Sequence, residues 1–245
     1  MSNHYHAVVH DADGRLPAFL EHFHKLVAKA LDVRWSRWEN LWSTEQTCAV
    51  HLVNPEDVFE KVVYVLANPV VDHLVDRVTD WPGASSLLYL GGSHELVLER
   101  PLEFFRGNGK MAEQLTLRTV APDGVDPQRW AVRVREAVAT REQTAREERH
   151  QRRTPFLGRK AVLRASAFDR PTTPEPRRNL RPAVACRDRE SRIGALLALK
   201  RFREAYATAR TRLLAGADGV LCPAGTYRWP RLRLARSVVE TAGAA

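Results

Sequence analysis

Two histidines and one tyrosine carry the reactive groups of this chain. His4-Tyr5-His6 sets two imidazoles at positions i and i+2, and on an extended strand such positions project from the same face. Both rings can then reach one ion. Neutral imidazole is a good ligand for divalent metals, although two ligands do not complete a site. Further along, Tyr64-Val65-Leu66-Ala67-Asn68 separates Tyr64 and Asn68 by four positions, which puts them on one face of a helix. At roughly 100° per residue, Val58, Phe59, Val62, Val63 and Leu66 gather on one side, and Tyr64 lies about 170° from the centre of that cluster. The phenol therefore turns away from the core stripe of its own helix. Taken singly, each feature has an ordinary reading: satisfied or exposed histidines, a surface tyrosine, and an Asn-Pro helix stop.

The elements that position these groups follow from local chemistry. His4 to His10, with Ala7-Val8-Val9 at its centre, reads as a strand, and Asp11-Ala12-Asp13-Gly14 as a turn. Leu16, Leu20, Phe23, Val27 and Leu31 recur at helical spacing and predict an amphipathic helix over 16–31. Leu41 to Val53 is an extended segment. Asn54 followed by Pro55, Glu56 and Asp57 is a helix start, with a cap, a proline at the first position and acids facing the dipole. That helix is expected to stop near Asn68, because Pro69 opposes simple continuation. Trp81-Pro82-Gly83 marks a turn, and residues 127–153 are charged and helical. Pro171 to Pro182 is rich in proline and arginine and reads as a linker or extended arm. Leu196, Leu199, Phe202, Tyr206, Ala209 and Leu213 predict a last amphipathic helix that ends near Gly216.

Charge is divided along the chain. The net charge of +9 over 245 residues combines 7 Lys/Arg against 13 Asp/Glu in residues 1–95 with 31 against 16 in residues 96–245. An arginine-rich half can neutralise phosphates and release their counterions, which makes nucleic acid the leading partner class; genome-wide use of arginine gives the same composition without it. No long apolar run predicts a membrane span, and the first residues lack the basic-then-apolar pattern of a secretory signal. A cytoplasmic location follows as the default. Cys48, Cys186 and Cys222 are odd in number and widely spaced, which points to neither a disulfide framework nor a CxxC zinc site.

Together the pieces resemble a known family. Met1-Ser2-Asn3-His4-Tyr5-His6-Ala7-Val8-Val9 looks like the histidine–hydrophobic–histidine strand of the IS200-like transposases, most closely their REP-associated tyrosine transposase branch. Tyr64-Val65-Leu66-Ala67-Asn68-Pro69-Val70 resembles that branch's nucleophile helix, and Asp80-Trp81-Pro82 with Ser85-Ser86 resembles the segment that follows it. The likeness covers roughly residues 1–92. It implies that His4, His6 and Asn68 bind Mg²⁺ or Mn²⁺ and that Tyr64 is the nucleophile. The implied activity is a metal-dependent endonuclease and strand transferase that nicks and rejoins single-stranded, hairpin-containing DNA through a 5′-phosphotyrosine.

The resemblance also implies a partial ferredoxin-like antiparallel sheet with helices, and the charge and helical spacing of the later residues add a mainly helical, basic C-terminal region; the expected fold class is α/β. The expected segments are a catalytic domain at 1–95, a charged helical region at 96–170, a Pro/Arg-rich linker at 171–182 and a helical region at 183–245. In the family the two-histidine strand is preceded by two strands and a helix. Here it opens the chain, so an N-terminally truncated domain is expected, either a decayed copy or one whose start lies upstream. Arg177, Arg178 and Arg181 on the arm are the expected DNA contacts. Two other readings share the same residues: a DNA-binding protein that recognises hairpin or single-stranded sites without cutting, and a small metallohydrolase that uses His4 and His6 to activate water.

Overall fold

The computed structural model describes residues 4–43, 47–92, 95–105, 107–108, 112–166, 168, 182–226 and 236–237. Its elements are α1 (Leu16–Trp35), β1 (His51–Leu52), α2 (Pro55–Val71), β2 (Leu96–Glu99), β3 (Gln114–Leu117), α3 (Pro127–Arg152), α4 (Arg159–Arg164), β4 (Val184–Ala185), α5 (Arg189–Leu214), β5 (Leu221–Cys222) and β6 (Arg236–Ser237), with short 3₁₀ segments at Val78–Asp80 and Leu87–Gly92. The fold is thus α/β, with helices dominant. No helix among the described residues is long and apolar enough to cross a membrane. The chain divides into two compact units, one of residues 1–8 and 54–180, the other of residues 9–53 and 181–245.

The first unit is organised around α2 and α3. The backbone N–H of Asn54 donates to the Asp57 carboxylate at 3.2 Å, and Pro55 occupies the first turn, as a helix start requires. Val63, Leu66 and Val70 of α2 are buried in one cluster with Trp130, Ala131, Val134 and Val138 of α3. The α3 residues 130, 134 and 138 form an i, i+4, i+8 stripe on an otherwise highly charged helix. Phe59 meets Trp130 edge to face with ring centres 5.7 Å apart, and Arg133 both stacks over Phe59 and pairs with Glu56 at 2.7 Å. Asp126 caps α3 by accepting from the Arg129 N–H at 2.8 Å. The segment Leu87–Gly92 lies against α3. At Gly91 a Cβ would stand 2.8 Å from that of Ala131, and φ is +79°, so close approach and backbone conformation both demand glycine.

Two expectations change here. Residues 4–10 belong to no strand among the described residues: the ladders are β1–β4 and β5–β6, both parallel, and β2–β3, antiparallel. The alternation of His4–His10 is compatible with a strand, but a strand exists only where a neighbour supplies its hydrogen bonds. Helix α2 also continues past Pro69 to Val71. Proline removes one N–H and crowds one carbonyl. The cost is small in the last turn, where Asp72 donates to the Asn68 carbonyl at 2.9 Å and Leu74 to that of Pro69 at 2.9 Å. The α2 core is completed by α3.

In the second unit, α1 runs four residues beyond the expected end at 31. The Asp11 side chain accepts from the N–H groups of Arg15 and Leu16 at 2.7 and 3.0 Å, which fixes the turn that Gly14 closes. Of the extended segment expected over 41–53, only His51–Leu52 is strand among the described residues, paired with Val184–Ala185. Helix α5 starts at a cap in which Asp188 accepts from the Ser191 N–H at 2.7 Å. Ala209 packs with Val220 and Cys222 in a small buried cluster.

Candidate functional site

Within the first unit, the segment carrying His4 and His6 lies against the outward face of α2. Tyr64 is 39% exposed, so the helix presents its phenol away from the α3 contact, as the residue pattern requires. The rings of His6 and Tyr64 meet edge to face with centres 5.6 Å apart. His4 and His6 are themselves edge to face at 5.0 Å. The two histidines therefore share a side even without a ladder.

Tyr64, Asn68 and Asp72 form one i, i+4, i+8 row of α2 and its C-cap. His6 touches the ring of Tyr64 at one end of this row and feels the charge of Asp72 at the other. Asn68, between them, is buried at 3% exposure, and its Oδ1 has no hydrogen-bond partner among the described residues. A buried carbonyl without a donor costs about 1–3 kcal/mol. Lys61, one turn before Tyr64, holds its ammonium 4.7 Å from the centre of the Tyr64 ring.

Burial holds the pKa of His6 below the ordinary histidine range, and the neighbouring His4 and Lys61 act in the same direction while Asp72 opposes them. Burial raises the Tyr5 phenol instead. A histidine kept neutral by its surroundings has its lone pair available for a metal.

The spacing of the two histidine rings is compatible with a shared divalent ion. A ring nitrogen about 2.1 Å from an ion puts the ring centre about 3.2 Å away, so two rings separated by about 90–110° have centres about 4.5–5.2 Å apart. The His4–His6 separation of 5.0 Å lies in that range. The unpartnered amide oxygen of Asn68 is the type of hard donor that Mg²⁺ and Mn²⁺ accept. Among the described residues no group of three His, Cys, Asp or Glu is placed to hold a metal.

The structure thus brings together His4, His6 and Tyr64, with Asn68 on the same helical row. Arg177, Arg178 and Arg181 lie outside the described residues. Lys61 and Asp72 join the site without having been singled out from the sequence. Their signal was present in the spacing 61, 64, 68, 72, which keeps all four side chains on one helical face. No protein-family model, no curated protein and no solved structure matches the chain.

Proposed function

We propose that this chain is a transposase-like, metal-dependent endonuclease that nicks and rejoins single-stranded DNA through a 5′-phosphotyrosine on Tyr64. The single observation that carries the reading is the juxtaposition of the His6 ring with the Tyr64 ring on the face of α2 that also holds the unpartnered Asn68 oxygen. The resemblance of residues 1–92 to the IS200-like transposases supports it, and with it the descent of this region from a ferredoxin-like catalytic domain.

In this reading His4, His6 and Asn68 hold Mg²⁺ or Mn²⁺, which when bound neutralises phosphate oxygens and stabilises charge in the transition state. Tyr64 supplies the nucleophile. Its oxygen forms a bond to phosphorus as the bond from phosphorus to the 3′ oxygen breaks; the phenol proton leaves, and the departing oxygen takes up a proton to become a 3′-hydroxyl. Lys61, over the Tyr64 ring, offers an ammonium to the charge that gathers on phenol and phosphate. The phosphotyrosine ester conserves the bond for rejoining by a 3′-hydroxyl, so no nucleotide cofactor is consumed.

The test is incubation of the full chain with hairpin-tailed single-stranded DNA and Mn²⁺. A denaturant-resistant protein–DNA adduct, abolished by chelator and by Tyr64→Phe, is the expected result. Binding without an adduct, unaffected by chelator or by Tyr64→Phe, would instead assign the chain as a non-cutting DNA-binding protein. Phosphodiester turnover without an adduct would point to a hydrolase that activates water.

A further inference from the structure

We propose that the cleft at the C-terminal end of α3 is a binding site for single-stranded DNA, separate from the tyrosine site. The choice of ligand rests on the proposed function; the site itself rests on its own geometry. The cleft, of about 700 Å³, is lined by Arg146, Arg149, His150 and Arg153 together with the Thr154–Phe156 loop.

Its charge is only partly balanced from within. Arg149 pairs with Asp76, and Arg146 lies 3.6 Å from Glu142. Arg153 and His150 form no ion pair among the described residues. The two paired arginines are not fully used either. Nη1 of Arg149 and Nε of Arg146 are buried and lack an acceptor among the described residues. Buried guanidinium N–H groups need an acceptor, and a phosphate oxygen is the acceptor that their forked geometry suits best.

The helix dipole accounts for basic residues in the last turn of α3, but it leaves those N–H groups unanswered. It also does not explain the aromatic residue among them. Phe156 is 44% exposed, with the Arg149 guanidinium 4.8 Å from its ring centre. Cations that track a backbone beside an exposed aromatic that can stack a base are the elements of a single-strand groove. Duplex DNA offers no such free base, so the aromatic favours a single strand.

The cleft is fastened to the nucleophile helix. The N–H of Leu157 donates to the His73 carbonyl and that of Gly158 to the Leu74 carbonyl, each at 2.9 Å. The Arg149–Asp76 pair fixes the same stretch. These anchors begin just beyond Asp72, the C-cap of α2. At 1.5 Å per residue, the end of α2 at Val71 lies about 10 Å along the helix axis from Tyr64, a span that a few nucleotides cover. A strand held in the cleft is thereby kept within reach of the phenol.

The experiment measures binding of a fluorescein-labelled oligothymidine to the full chain by anisotropy, in EDTA and over a range of salt. The paired substitution His150→Gln and Arg153→Gln leaves the Arg149–Asp76 anchor in place, and Arg153 already sits in a left-handed conformation that glutamine shares with arginine at similar cost. It is expected to weaken binding about tenfold and to reduce the salt slope by about 1. Phe156→Leu is expected to weaken it about tenfold through lost stacking. In the unaltered chain, photocrosslinking of a bromodeoxyuridine-containing strand is expected to label the Thr154–Phe156 loop, which needs no variant to fold.

Variants with unchanged melting that bind like the parent, or crosslinks confined to other segments, would overturn the site. Absence of an adduct with cleft-dependent binding retained would defeat the catalytic reading alone. An adduct together with cleft-independent binding would defeat this one alone.

Discussion

His6 and Tyr64 stand edge to face with ring centres 5.6 Å apart, although nearly the whole of α2's first three turns and the entire second unit's N-terminal portion separate them in sequence. An imidazole beside a half-exposed phenol, with a second imidazole at 5.0 Å, is the arrangement on which the proposed attack on a phosphodiester rests. The consequences below follow from it.

The first concerns protonation of His6. Burial, His4 and Lys61 lower its pKa while Asp72 raises it, so its C2–H resonance should titrate below the ordinary histidine range in the metal-free chain. Asp72→Asn should move the midpoint further down, and His4→Gln should move it up. The linkage has a definite sign. With a folded pKa below the unfolded one, the unfolded state binds more protons in the interval between them, so this group's contribution to stability is present above the unfolded value and is lost as pH falls from there through the folded value. Histidine-resolved NMR over acidic to neutral pH checks both shifts; identical midpoints in parent and Asp72→Asn would contradict the placement.

Asn68 gives a test that separates ligand from structural roles. Its buried Oδ1 lacks a donor among the described residues, so Asn68→Leu, which removes the amide at similar volume, should leave the metal-free chain at least as stable. Mn²⁺ at a hundredfold excess over its dissociation constant should stabilise the parent by about 2.7 kcal/mol and leave the variant unmoved. Thermal melts with and without Mn²⁺ measure this. Equal stabilisation of both chains would remove Asn68 from the ligand set.

Much of this was legible in the sequence where the determinants are local. The Asn54 cap, Pro55 and the acids after it start α2, and the stripe of Val58, Phe59, Val62, Val63 and Leu66 fixes which face is buried; the outward direction of Tyr64 follows from those residues alone. The stripe of Leu196 to Leu213 likewise marks α5. What escaped depends on distant partners. Pairing of His51–Leu52 with Val184–Ala185 joins segments whose closeness no local pattern encodes. Whether His4–His10 is a strand is decided by a neighbour, not by its own alternation. Pro69 reads locally as a stop, yet in a last turn its missing N–H matters little. Lys61 and Asp72 were readable as members of the Tyr64 row, but their role emerges only once His6 is seen above it.

Packing between α2 and α3 sets the stability of the unit that holds the site. Trp130 is buried against Phe59, and Trp130→Ala should destabilise by about 3–5 kcal/mol. Gly91→Ala should cost about 1–2 kcal/mol or more, since a positive φ is combined with contact on Ala131. Chemical denaturation followed by helical circular dichroism reads both. A Gly91→Ala chain as stable as the parent would contradict the close approach of the 3₁₀ segment to α3.

Lys61 supplies a graded test of the reaction. Its ammonium lies over the Tyr64 ring on an exposed helix face, so Lys61→Ala should fold normally. It should lower the rate of adduct formation about 10–100-fold, in line with loss of one charge-assisted contact. Lys61→Arg should recover part of that loss. Rates equal to the parent for Lys61→Ala would leave the lysine as a solvated side chain.

The most direct measurement is mass spectrometry of the adduct formed with hairpin-tailed single-stranded DNA and Mn²⁺, after proteolysis and nuclease trimming. The account predicts a nucleotide esterified through its 5′-phosphate to Tyr64, with the modified peptide absent when EDTA replaces Mn²⁺. A nucleotide attached to a different residue, or no adduct from a folded chain that binds Mn²⁺, would contradict it.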